Sequence, residues 1–156
     1  MSLESVRAYF AEKAPDIHII ETAASSATVA LAAQAHGVEP ARIAKTLSLA
    51  VNGREFLIVA RGDARLDNRK FKAAFGGKPR LLDAETVSGL TGHPVGGVCP
   101  FGLATPLPVY CDISLKAFDE VVPAAGSTTS AVRIDPLRLA DLVQAEWVDV
   151  CQDPAP

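Results

Sequence analysis

The chain has 156 residues, a formal net charge of −3 and three scattered cysteines, Cys99, Cys111 and Cys151. That length suits one domain, expected to span residues 1–156 with 153–156 as a tail, and a composition 49% hydrophobic and 21% charged excludes a disordered or fibrous chain. No apolar run approaches the ~18 residues of a spanning helix, the first residues carry no basic-then-apolar leader, and an odd, unpaired cysteine count argues against a disulfide framework, so a cytoplasmic protein with no membrane partner is expected.

In chain order, Ser2 can cap a first helix that turns Leu3, Val6 and Phe10 inward and stops before Pro15. HIIE (18–21) reads as a short strand. Thr28 can cap a second helix, VALAAQAH, that ends at Gly37. Pro40 opens a helical turn leading into the strand IAKTLSLAV (43–51), Asn52-Gly53 gives a two-residue hairpin signal, and REFLIVA returns antiparallel. A third helix fits LDNRKFKAAF with Gly76-Gly77 as its stop. Asp83 caps a fourth, AETVSGL, ending near Gly92. Residues 91–108, TGHPVGGVCPFGLATPLP, hold four glycines and four prolines and break the rhythm; long irregular segments in compact domains are often functional. VYCDI, EVVPA and AVRI read as strands, with a helical turn at LKAF. Asp135-Pro136 opens a last helix, LRLADLV, and WVDV (147–150) reads as a last strand. Hairpins and helices alternate irregularly, which favours an α/β mixed (α+β) fold, a mixed sheet with helices around it, over a doubly wound parallel sheet.

Within IAKTLSLAV, Lys45 shares the parity of Leu47, Leu49 and Val51, while Thr46, Ser48 and Ala50 take the other face. A lysine is rarely buried without a partner. Either the strand starts later and Lys45 reaches water, or Lys45 lines a pocket. The loop GGVCPFG (96–102) is a natural opposite wall, because Gly-Gly lets main chain approach a ligand closely. Cys99 within it invites a nucleophile reading, but no motif ties a histidine to it. His93, Cys99 and Cys111 lack zinc-site spacing, and no P-loop or G-x-G-x-x-G is present, so neither metal nor cofactor is expected. Ser127, Thr128, Thr129 and Ser130 follow Gly126 in a polar turn that can line a pocket or simply serve its conformation. Residues 54–80 hold eight of the fifteen bases and only three acids. The stripe suits a phosphate-bearing partner met at one place, or is a solvated helix face.

ARIAKTL feeding a strand, GDARLDNRKFKAAFG, TGHPVGGVCPFGL and VYCDISLKAFDEVVPAAGS stand in the order found in the YbaK/prolyl-tRNA-synthetase-associated domain family, and the chain resembles that family over roughly residues 15–145. The resemblance implies a mostly antiparallel mixed sheet or partly closed barrel surrounded by helices. It also implies a free-standing domain similar to the editing insertion of bacterial prolyl-tRNA synthetases. Such a domain is an aminoacyl-tRNA deacylase acting in trans, a hydrolase of the ester that joins a wrong amino acid to the 3′-terminal adenosine of tRNA. The family's essential lysine maps onto Lys45 and its G-x-x-x-P loop onto Gly96–Pro100, which implies Lys45, Gly96 and Gly97 as the catalytic set. Around the substrate it implies Thr46, Val98, Cys99, Pro100, Phe101 and Gly102, together with Gly126, Ser127 and Thr128. Arg65, Arg69, Lys70 and Lys72 would meet tRNA. The expected partners are an aminoacylated tRNA and a synthetase, with the protein itself a monomer. Ala131-Val132-Arg133 replaces the Gly-Leu-Asp-like stretch of cysteinyl-specific members, and Ser127 and Thr128 stand where alanyl-specific members carry a histidine, so the resemblance leaves the amino acid open. Two other readings stand beside it: a non-catalytic tRNA-binding or synthetase-partner module of the same fold, and a hydrolase of another small acylated metabolite.

Overall fold

A computed structural model describes residues 2–153. Helix α1 (Ser2–Lys13) buries Val6 and Phe10. The expected Ser2 cap is not made. Ser2 is itself helical, and its hydroxyl instead reaches the Gly126 carbonyl and lies 2.5 Å from His93 Nδ1, a pair of distant partners in place of a local one. Short strand β1 (Ile20–Glu21) precedes α2 (Val29–His36), whose cap is Thr28, accepting from Leu31 N–H at 3.2 Å. A 3₁₀ turn at Pro40–Arg42 delivers β2 (Ile43–Val51). The hairpin to β3 (Arg54–Arg61) turns on Asn52 and Gly53, both at positive φ (51° and 80°), the geometry that matches strand twist.

Asp67 caps α3 (Asn68–Phe75) through Lys70 N–H at 3.0 Å. Short β4 (Arg80–Leu81) is followed by α4 (Ala84–Thr91), capped by Asp83 through Thr86 N–H at 2.7 Å. Residues 92–108 carry no helix or strand. Then come β5 (Val109–Asp112), a 3₁₀ turn (Ile113–Ala117), β6 (Val122–Pro123), β7 (Ser130–Ala131), α5 (Pro136–Leu142) under its Asp135 cap, and β8 (Glu146–Val148). The expected tail begins at Asp153, which pairs with Lys70; residues 154–156 lie outside the described residues.

The fold is mixed α/β. The larger sheet runs β4-β2-β3-β5-β8, with β6 on the same edge of β2 as β4, and it stays open instead of closing into a barrel. The long β2–β3 and the β2–β4 pairings are antiparallel; β2–β6, β3–β5 and β5–β8 are parallel. β1 and β7 form a separate two-stranded sheet. Opposed residues share a face, so Leu49 and Phe56 meet Phe71 of α3 on one side, while Ala44, Leu57 and Val59 pack on the other against Val6, Phe10 and Phe101. Two strands cover the outer edge of β2 and they do not meet. β6 takes Ile43–Ala44 and β4 takes Leu49–Ala50. The stretch between them, 45–48, borders a cavity.

Candidate active site

The cavity has a volume of about 310 Å³ and wraps the uncovered edge of β2, so side chains of both parities reach it: Lys45 and Leu47 from one face, Ala44, Thr46 and Ser48 from the other. Val29 and Ala32 of α2, Leu81 of β4 with Leu82 after it, and Val95 and Val98 of the glycine-proline loop form mostly aliphatic walls. Gly96, Ser26 and Ser130 complete the polar side.

Lys45 is half-buried, and its Nζ donates to the Ala64 carbonyl. Burial lowers the pKa of its ammonium; Cys151 and Asp63 nearby oppose that shift and Arg65 adds to it. Lys45 therefore lines the same cavity as Gly96, but its hydrogen bond goes to the 61–65 turn and not to the glycine loop.

Close approach builds the loop. Gly96 sits at φ 91°, and a Cβ there would lie 2.9 Å from the Ala27 methyl; a Cβ on Gly97 would lie 2.8 Å from the main chain of Ser127. Gly126 N–H donates to the Gly97 carbonyl at 3.0 Å. His93 is wholly buried beneath, its Nε2 2.7 Å from the Phe101 carbonyl and its Nδ1 against Ser2. Burial lowers the pKa of its imidazole. Ser2 thereby ties α1 to both the 93–102 loop and the 126 turn.

This packing places several of the expected substrate contacts outside the cavity lining. Cys99 and Phe101 have no exposure and belong to the main core, where the Phe101 ring lies tilted against Phe10 with centroids 4.6 Å apart. Burial pushes the Cys99 thiol up to about 12, which removes the thiolate a nucleophile needs. Pro100 is buried, and Gly102 packs against the Ser5 carbonyl. Gly97, Gly126, Ser127 and Thr128 stand behind the lining: Ser127 hydrogen-bonds Ser130 at 2.6 Å, and the Thr128 carbonyl accepts from Ser26 N–H at 2.6 Å. Of the expected set, Lys45, Thr46, Gly96 and Val98 line the cavity. Sequence reading missed Ser26 and Val29, which no motif marks. Ser130 was within reach as the last hydroxyl of the polar turn.

Arg65, Arg69 and Lys72 are exposed. Lys70 is already paired, its ammonium bridging Asp149 at 3.1 Å and Asp153 at 2.9 Å.

A sequence model of the aminoacyl-tRNA editing domain matches residues 23–142. The Bacillus subtilis protein YwhH, described as uncharacterised, is 47% identical over 155 residues, 98% of this chain and 99% of its own. The proline–tRNA ligase of Solidesulfovibrio magneticus is 38% identical over 109 residues, 68% of this chain; the match spans only 19% of the ligase. A solved structure described as a candidate trans-editing enzyme for prolyl tRNA synthetase superposes with a TM-score of 0.88 at 33% identity, covering 97% of this chain and 98% of that one.

Proposed function

This chain belongs to the aminoacyl-tRNA editing domain family, and from that premise we propose that it is a trans-acting deacylase that hydrolyses the ester of a mischarged tRNA. The observation that carries the reading is one cavity lined jointly by Lys45, Thr46, Gly96 and Val98, with aliphatic walls of a size for a small acyl group. In the reaction, water adds to the acyl carbon, the bond from that carbon to the ribose oxygen breaks, and the ribose oxygen takes a proton. The products are a free amino acid and an uncharged tRNA. An aminoacyl ester is already activated, so orientation and electrostatic stabilisation can supply the barrier reduction. Lys45 offers the cation, toward the terminal phosphate or the acyl oxygen. The main chain of Gly96 offers close hydrogen-bonding groups. The Cys99 thiol, buried and protonated, is not the nucleophile, and water takes that role.

The exposed bases Arg65, Arg69 and Lys72 are the proposed contacts for the acceptor end of tRNA, and the proline–tRNA ligase relatives make a synthetase a natural partner. A panel of aminoacyl-tRNAs tests the whole. Wild type should release the amino acid from at least one of them, while Lys45→Ala should be slower by about 10²–10³-fold with an unchanged circular-dichroism spectrum. Equal rates would remove Lys45 from the mechanism. tRNA binding without release from any charged tRNA would make the protein a non-catalytic module, and cleavage of small esters with no dependence on tRNA would assign it a different substrate.

A further inference from the structure

Within the cavity one residue presents an excess of polar groups. The Ser48 carbonyl accepts from Leu82 N–H at 3.1 Å, beside the β4 pairing. Along an antiparallel strand each residue directs its N–H and C=O to one side, and successive residues alternate sides. That bond therefore fixes the even-numbered residues of β2 as those whose main chain faces the outer edge. Ala44 is covered by β6 and Ala50 by β4. Thr46 lies between the covers, so its N–H and C=O face the gap. The Thr46 hydroxyl is a second, independent observation: it is buried without a hydrogen-bond partner among the described residues, and the residue lines the cavity. Buried polar groups are nearly always paired, and an unpaired one calls for an explanation.

We propose that Thr46 is the subsite for the α-amino group of the acyl moiety, and that the site takes this amine uncharged. The inference rests on the deacylase reading and adds to it the chemical group that is recognised. The carbonyl and hydroxyl oxygens of Thr46 match the two N–H donors of a free amine. Charge decides the protonation state. β2 contributes Lys45 to the lining; the elements around it (α2, β4, α4, the 95–98 loop and the 122–131 segment) contribute no titratable side chain. An ammonium would sit beside the Lys45 charge, while the carboxylate near Lys45, Asp63, stands outside the lining, in the 61–65 turn. An α-amino group titrates at about pH 7–8, so the uncharged form is available near neutrality. An N-acylated amine keeps one donor, loses its basicity and adds bulk beside the Thr46 oxygens. A site of this kind therefore separates free aminoacyl esters from N-blocked ones.

The test uses the intact protein with alanyl-, seryl- and cysteinyl-tRNA and their N-acetyl counterparts, between pH 6 and 8.5. For whichever ester is cleaved, the free-amine form should be favoured by at least tenfold in kcat/KM, with the rate rising as the amine loses its proton. Thr46→Val should lose about tenfold or more on the free amine and change the acetylated substrate little, and Thr46→Ser should restore most of the loss. Equal cleavage of free and acetylated esters, or an equal loss on both in Thr46→Val, would overturn the subsite while leaving the deacylase reading intact. Should no ester be cleaved, the deacylase reading fails by itself. Binding of the alanyl amide of 3′-amino-3′-deoxyadenosine, free and N-acetylated, then decides: a Thr46-dependent preference for the free amine supports the subsite, and no preference overturns it.

Discussion

Gly97 shows how little room a single residue has behind the cavity. It is not held at a positive φ; what demands glycine is the Ser127 main chain, 2.8 Å from where a Cβ would stand. Backbone on both sides cannot give way as the end of a long side chain could. Gly97→Ala should therefore cost about 1–3 kcal/mol, read as a lower urea midpoint at an unchanged slope. It should also displace Gly96 from the lining and slow any turnover. Lys45 illustrates the opposite situation, a group whose surroundings leave it adjustable. Its ammonium is lowered in pKa by burial, yet the Ala64 carbonyl gives it a hydrogen bond and Asp63 a counter-charge. It can exchange that carbonyl for an oxygen of the substrate without being left unpaired.

At the scale of elements, helix α3 separates charge that is spoken for from charge that is free. Lys70 is held by Asp149 and Asp153, whereas Arg69 and Lys72 stand in solvent on the same helix. If α3 meets phosphates, Arg69→Glu with Lys72→Glu should weaken tRNA binding and flatten its salt dependence. The log–log slope should fall by about one for each phosphate no longer met, and Lys70→Ala should change neither quantity. Filter binding across a salt series would measure this. Most elements were legible because they carry a local signal: Thr28, Asp83 and Asp135 cap their helices, and Asn52-Gly53 turns the hairpin, whereas the third helix, read from Leu66, starts at Asn68 because Asp67 caps it. The site was legible in part. Parity placed Lys45 on the face of Leu47 and Leu49, but it could not show that the ammonium bonds to Ala64, nineteen residues on. Nor could composition separate Gly96, which lines the cavity, from Cys99 and Phe101, which fill the core. That division depends on which side of a loop α1 packs against, a long-range fact.

Across the whole molecule, two buried imidazoles set the response to acid. Burial lowers the pKa of both His36 and His93, and Arg133 beside His36 acts in the same direction. Their unfolded counterparts take up protons near pH 6.5, so the unfolded state binds more protons than the folded one below that pH. Stability should be flat above about pH 7 and fall as pH drops from 6.5 toward 5. The aspartates Asp16, Asp63 and Asp83, all lowered in pKa by hydrogen bonds or ion pairs, hold their contribution until pH falls below about 4. Thermal melts across that range check the order, and His93→Gln should reduce the first decline. Among the described residues no helix is long and apolar enough to cross a membrane.

Helix α1 lies outside the matched stretch 23–142, yet Ser2, Ser5 and Val6 buttress Gly126, Gly102 and His93 from behind. An experimenter who trims the gene to the matched stretch would thus remove the brace, together with β1 and β8, and keep the glycines. Such a shortened protein should still form the β2–β3 hairpin but present a slack loop, detectable as faster proteolytic nicking between residues 94 and 102. Low turnover by that fragment would report a missing support, and would say nothing against the residues of the cavity itself.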